Sequence, residues 1–134
     1  MRSYRILILI LVLGLIYGAG CAQEKDSTIS KDALKGKDIT VEELKEKMKT
    51  DTSLVILDVR TPEELSGPLG KIDGVLAIPL DELQEKIAEV EKLKGRDIAV
   101  ICRTGHRSKK AQGILEKNGI KAMNVLGGMT EYRK

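Results

Sequence analysis

From Thr40 onward the chain alternates short apolar runs with stretches in which apolar residues recur every three or four positions. Residues 54–57, 75–78 and 98–101 are wholly apolar, and 123–126 is interrupted only by Asn124. Unbroken runs of this length suit parallel strands covered on both faces. Thr40-Val41-Glu42-Glu43 has the form of a capping box, so a helix is expected to about Lys49, burying Val41, Leu44 and Met48. Thr61-Pro62-Glu63-Glu64 repeats the pattern with proline at the first helical position, and Gly67-Pro68-Leu69-Gly70 should end that helix early. Pro79 stops the 75–78 run, and Asp81 is placed to cap a helix that buries Leu83, Ile87, Val90 and Leu93 before Gly95. Residues 108–118 read as helical, with Ala111, Ile114 and Leu115 on one face and Gly119 ending it. Gly127-Gly128 then turns the chain into a short terminal helix. Strands alternating with helices predict an α/β domain, a parallel sheet with helices on both faces. Ligands of such sheets bind at the carboxyl ends of the strands.

The first twenty residues follow another pattern. Arg2 and Arg5 precede residues 6–16, which are aliphatic except for Gly14, and Tyr17-Gly18-Ala19-Gly20 leads into Cys21. A basic start, an apolar run and small residues make a secretory signal over 1–20. The run is shorter than the roughly 20 residues that span a membrane, so an uncleaved anchor is the weaker alternative. Ala19-Gly20-Cys21 resembles a bacterial lipobox, although Gly18 stands where that family has an aliphatic residue. The resemblance implies cleavage before Cys21, lipid on Cys21, attachment to a membrane, and an exported cell-envelope location, periplasmic in a Gram-negative source. Ordinary cleavage near Ala19 or Ala22 is the alternative, with Cys21 discarded or left as a thiol. Residues 21–37 are polar and without apolar period, the composition of a flexible tether. That leaves 38–134 as the domain.

Composition sharpens the picture in three ways. The 134 residues contain no Phe and no Trp, and Tyr132 is the sole aromatic residue past the leader, so the core must be aliphatic and of modest stability. The net charge of +3 falls to +1 without Arg2 and Arg5, which gives no reason to expect a nucleic-acid partner. The basic excess is local instead: Arg103, Arg107, Lys109 and Lys110 follow Cys102, a pattern for a small anionic substrate. Of the two cysteines, Cys102 is left without a disulfide partner once Cys21 is lipidated or removed. With one histidine and one free cysteine no metal site is expected, and nothing calls for a cofactor.

Cys102-Arg103-Thr104-Gly105-His106-Arg107-Ser108 carries the candidate chemistry. A cysteine between a buried strand and a helix start can hold its thiolate over backbone N–H groups, which lowers its pKa. Amides of Thr104, Gly105, His106, Arg107 and Ser108 are the candidate donors, Gly105 gives the loop its freedom, and the sulfur is expected to be reachable from solvent. Arg103 and Arg107 can attract a dianionic donor but not move protons. His106 is either a donor-binding or mildly acidic group, or a solvent-facing loop residue. Asp58 and Arg60, at the end of a neighbouring strand, either brace the loop or form an ion pair, Arg60 with Glu64, that fixes only the next helix. Lys109 and Lys110 read more simply as a solvated helix face.

Four features resemble the single-domain rhodanese family of sulfurtransferases. They are Asp58-Val59-Arg60-Thr61-Pro62-Glu63-Glu64, then Gly70-Lys71-Ile72-Asp73-Gly74-Val75 leading to Ile78-Pro79-Leu80, then the Cys102–Ser108 loop, and Gly127-Gly128-Met129. Lys71 stands where the family has His, Tyr132 near where it often has Trp, and the 66–69 stretch is unusual. The resemblance implies a parallel sheet of about five strands. It also implies that Cys102 takes the outer sulfur of a donor such as thiosulfate as a persulfide and yields it to cyanide or a thiol. Residues 103–108 would bind the donor, with Asp58 and Arg60 behind them. A persulfide carrier serving a partner protein is the alternative. Cysteine phosphatases and arsenate reductases place five residues between Cys and Arg, whereas four separate Cys102 from Arg107. A redox-sensing thiol would lack a resolving cysteine.

Overall fold

Each unbroken apolar run becomes a strand, because residues that alternate between two covered faces can all be apolar. The computed structural model describes residues 36–134. Its strands are β1 (Asp38–Ile39), β2 (Val55–Asp58), β3 (Leu76–Ala77), β4 (Ile98–Ile101) and β5 (Met123–Val125). The helices are α1 (Val41–Thr50), α2 (Pro62–Leu65), α3 (Ile87–Glu91), α4 (His106–Lys117) and α5 (Gly128–Tyr132). The sheet order is β1-β5-β4-β2-β3 and every pairing is parallel. The expected α/β architecture with five strands is thus the one observed.

The two faces of the sheet carry separate aliphatic clusters. Val55, Leu57, Ile98, Val100 and Cys102 point to one side, where Leu83, Val90, Ala111 and Leu115 cover them. Ile56, Ala99, Ile101, Met123 and Val125 point to the other, under Val41, Leu44 and Met129. Helices α3 and α4 therefore lie over one face, and α1 and α5 over the other. Both capping boxes form in full, Thr40 with Glu43 and Thr61 with Glu64.

Several boundaries differ from expectation. Asp81 caps no helix: the Leu80 amide is spent on the Val59 carbonyl, and residues 80–82 tighten into a 3-10 turn, so α3 begins only at Ile87. Met48 is 37% exposed, at the edge of the contact between α1 and α5, where the Tyr132 hydroxyl lies 3.9 Å from its sulfur. Leu126 lies beyond β5 and is 46% exposed. Helix α4 starts two residues early, at His106, with Gly105 at its N-cap. The edge strand β1 was not foreseen, since two residues carry no periodicity. The expected leader, Cys21 and the expected tether up to residue 35 lie outside the described residues. Lys37 is already part of the domain, its carbonyl accepting from the Asn124 amide.

Candidate active site

Strand β4 delivers Cys102 to the carboxyl end of the sheet, on the face shared with Val100. The chain then turns sharply enough for the Gly105 amide to donate back to Cys102 Sγ at 3.1 Å. Gly105 makes this possible with φ +99°, and a Cβ there would crowd the Gly127 amide at 3.2 Å. Ser108, in the first turn of α4, places its Oγ 3.4 Å from the sulfur. Cys102 is only 1% exposed, so the expected solvent-reachable thiol is corrected to one enclosed by its own loop. That burial pushes the thiol up, but hydrogen bonds from the Ser108 hydroxyl and from the Ser108, Gly105 and Thr104 backbone outweigh it and hold the pKa below its ordinary value. The amides of His106 and Arg107 are not among these donors.

Arg107 is committed elsewhere. Its guanidinium makes a bidentate pair with the Glu64 carboxylate, both contacts at 2.6 Å. The Arg107 guanidinium beside Glu64 lowers that carboxyl to about 2. Glu64 is therefore the partner of Arg107 and not of Arg60. Arg60 pairs with Asp58 at 2.7 Å, both side chains fully buried. It also donates to the carbonyls of Glu64 and Gly70. Arg60 thus anchors the backbone of α2, and α2 in turn presents Glu64 to the Cys102 loop. The two readings of Asp58 and Arg60 meet here: the pair fixes the following helix, and through that helix braces the loop.

Arg103, Thr104 and His106 form the exposed rim. Thr104 Oγ1 and His106 Nδ1 lie 3.2 Å apart at the solvent edge. Among the described residues Arg103 makes no ion pair, so the exposed guanidinium of the residue next to Cys102 is not committed to a carboxylate. It also lines a cavity of about 500 Å³ together with Glu63, Glu64, Pro68, Leu69 and Thr130. The unusual 66–69 stretch thus borders Arg103 and not the sulfur itself. Lys109 is held by Asp38 at 2.7 Å, and its ammonium keeps that carboxyl below its ordinary value. Tyr132 packs on the face of the sheet opposite Cys102, with the Lys45 ammonium 5.0 Å from its ring centroid. The Lys71 carbonyl accepts from Arg133.

Three residues have roles at the site that the sequence alone does not show. Gly128 lets α5 approach so closely that Met129 and Thr130 donate to the Cys102 and Arg103 carbonyls at 2.8 and 3.0 Å. Glu64 is expected from the sequence as a cap and as a partner of Arg60, and its pairing with Arg107 carries no local signal. Asn124 accepts from the Ser108 hydroxyl at 2.6 Å, and its signal was being the lone polar residue in an apolar run.

Residues 40–134 match the rhodanese-like domain family. "Putative sulfurtransferase YtwF" of Bacillus subtilis is 37% identical over 96 residues, which cover 72% of this chain and 89% of that protein. "Putative sulfur carrier protein YrkF" of the same organism is 38% identical over 96 residues, 71% of this chain and half of that longer protein. The crystal structure of a rhodanese-like domain protein from Staphylococcus aureus superposes with a TM-score of 0.65 at 38% identity, over 72% of this chain and 90% of that one.

Proposed function

The chain belongs to the rhodanese-like family, and from that premise we propose that it is a thiosulfate-type sulfurtransferase working through a Cys102 persulfide. The observation that carries this reading is a thiol held below its ordinary pKa despite burial, by donors of its own loop. The Cys102 thiolate attacks the outer sulfur of thiosulfate, a new S–S bond forms, and sulfite departs with the electron pair of the bond that breaks. Cyanide or a thiol then attacks the outer sulfur of the persulfide and returns Cys102 as thiolate. Gly105 and Ser108 suit both anionic forms, because the charge stays within reach of the same donors. Arg103 attracts the dianionic donor, a role from which the Glu64 pair withdraws Arg107.

The test is the intact mass of the protein after incubation with thiosulfate. One added sulfur atom, removed by cyanide and absent in Cys102→Ser, is the expected result. No mass gain, or a gain that Cys102→Ser retains, overturns the reading. The carrier alternative draws on similarity to a protein named as a sulfur carrier. Persulfide formation without saturable thiosulfate:cyanide turnover would favour it. Export as a lipoprotein belongs to the same proposal: metabolic labelling with a fatty acid should mark the wild-type chain and not Cys21→Ser.

A further inference from the structure

Ser108 Oγ has one proton and three acceptors in reach: Asn124 Oδ1 at 2.6 Å, the Gly105 carbonyl at 3.1 Å and Cys102 Sγ at 3.4 Å. Ser108 is fully buried and Asn124 is 2% exposed, so no bulk water relieves the competition. The orientation of the Asn124 amide is not free. Its Nδ2 faces Asp38 Oδ1 at 3.3 Å, and Lys109 donates to that same oxygen at 2.7 Å. A carboxylate only accepts, so the amide must turn its N–H₂ to Asp38 and its oxygen to Ser108. The shortest contact then takes the Ser108 proton, and Ser108 shows lone pairs to the sulfur. That arrangement suits a Cys102 thiol donating to Ser108. It disfavours an anion, which needs the hydroxyl hydrogen turned toward it.

We infer that Asn124 is a positioning residue for Cys102: it holds the Ser108 hydroxyl away from the sulfur in the thiol form, and that hydroxyl rotates onto the sulfur in the thiolate and persulfide. On ionisation the thiol proton passes to water, the S–H hydrogen bond to Ser108 Oγ is lost with it, and the Ser108 O–H exchanges Asn124 Oδ1 for Sγ. The charged and titratable groups around this centre are Arg103 on the loop, His106, Arg107 and Lys109 on α4, Asp58 at the end of β2 and Asp38 on β1. The inference rests on Cys102 being the reactive sulfur.

The test is an ultraviolet titration of thiolate absorbance in the full chain carrying Cys21→Ser, where Cys102 is the sole thiol. Asn124→Leu should lower the apparent Cys102 pKa by about one unit, roughly a tenfold gain in thiolate below that pKa. In the Ser108→Ala background the same substitution should shift nothing. Asp38→Asn, on the exposed edge, frees the amide to turn and should give a smaller shift in the same direction, again only while Ser108 is present. No shift in a folded Asn124→Leu protein overturns the inference, and so does a shift of equal size without Ser108. Should Asn124→Leu fail to fold, Asp38→Asn decides by the same two criteria. The titration reads ionisation and not transfer, so a Ser108-dependent shift in a protein that gains no sulfur mass would sink the sulfurtransferase reading and leave the role of Asn124 standing.

Discussion

A sulfur enclosed to 1% exposure should resist ionisation, and at Cys102 the loop reverses that tendency with the Gly105 amide three residues away and a Ser108 hydroxyl, six residues away, that can turn onto the thiolate. This compactness is why the nucleophile was legible in the sequence: thiol, glycine and serine sit in one short run. The charge arrangement was not legible, since the partner of Arg107 lies 43 positions earlier and Ser108 meets Asn124 16 positions later. Two predictions follow at this scale. Arg103→Ala should raise KM for thiosulfate several-fold while leaving KM for an uncharged sulfur donor nearly unchanged, and steady-state kinetics with both donors would show it. Arg107→Ala should instead affect both donors alike, because it releases Glu64 and loosens the loop. Glu64 supplies the second prediction. Its folded pKa of about 2 lies below its ordinary 4.5, so its pairing stabilises the fold fully above pH 4.5. That contribution is lost as pH falls toward about 2. Thermal melts across this range should show the wild type losing more Tm than Glu64→Gln.

Among the elements, legibility followed length and chemistry. Capping boxes place their own ends, so the starts of α1 and α2 were read correctly, and the unbroken runs located β2 and β4. Where a neighbour's backbone decides, the sequence was mute. The Val59 carbonyl takes the Leu80 amide and displaces the helix expected at Asp81. The Gly127-Gly128 pair was visible, but its purpose was not. Gly128 has φ +56°, and a Cβ there would press on the Cys102 carbonyl oxygen and lie 2.7 Å from that of Arg103. Helix α5 can hold both carbonyls only because that side chain is missing. Gly128→Ala should therefore cost on the order of 3 kcal/mol and reduce persulfide formation at the same time. Denaturant titration and intact mass together would check it. Destabilisation with undiminished sulfur loading would mean that α5 does not shape the loop.

For the whole molecule, the absence of Phe and Trp leaves two aliphatic clusters, one on each side of a five-stranded parallel sheet. Buried polar groups are few, and among the described residues every buried side-chain nitrogen and oxygen has a partner. Asp58, Arg60, Ser108 and Asn124 all gather toward the carboxyl ends of the strands, where the sulfur is. The opposite end is different in kind. There Gly36 donates to Glu116, near the close of α4, and the chain climbs past Ala122 before joining the sheet as β1. Gly36 thus lies at the end of the sheet opposite the Cys102 loop, where the parallel strands begin.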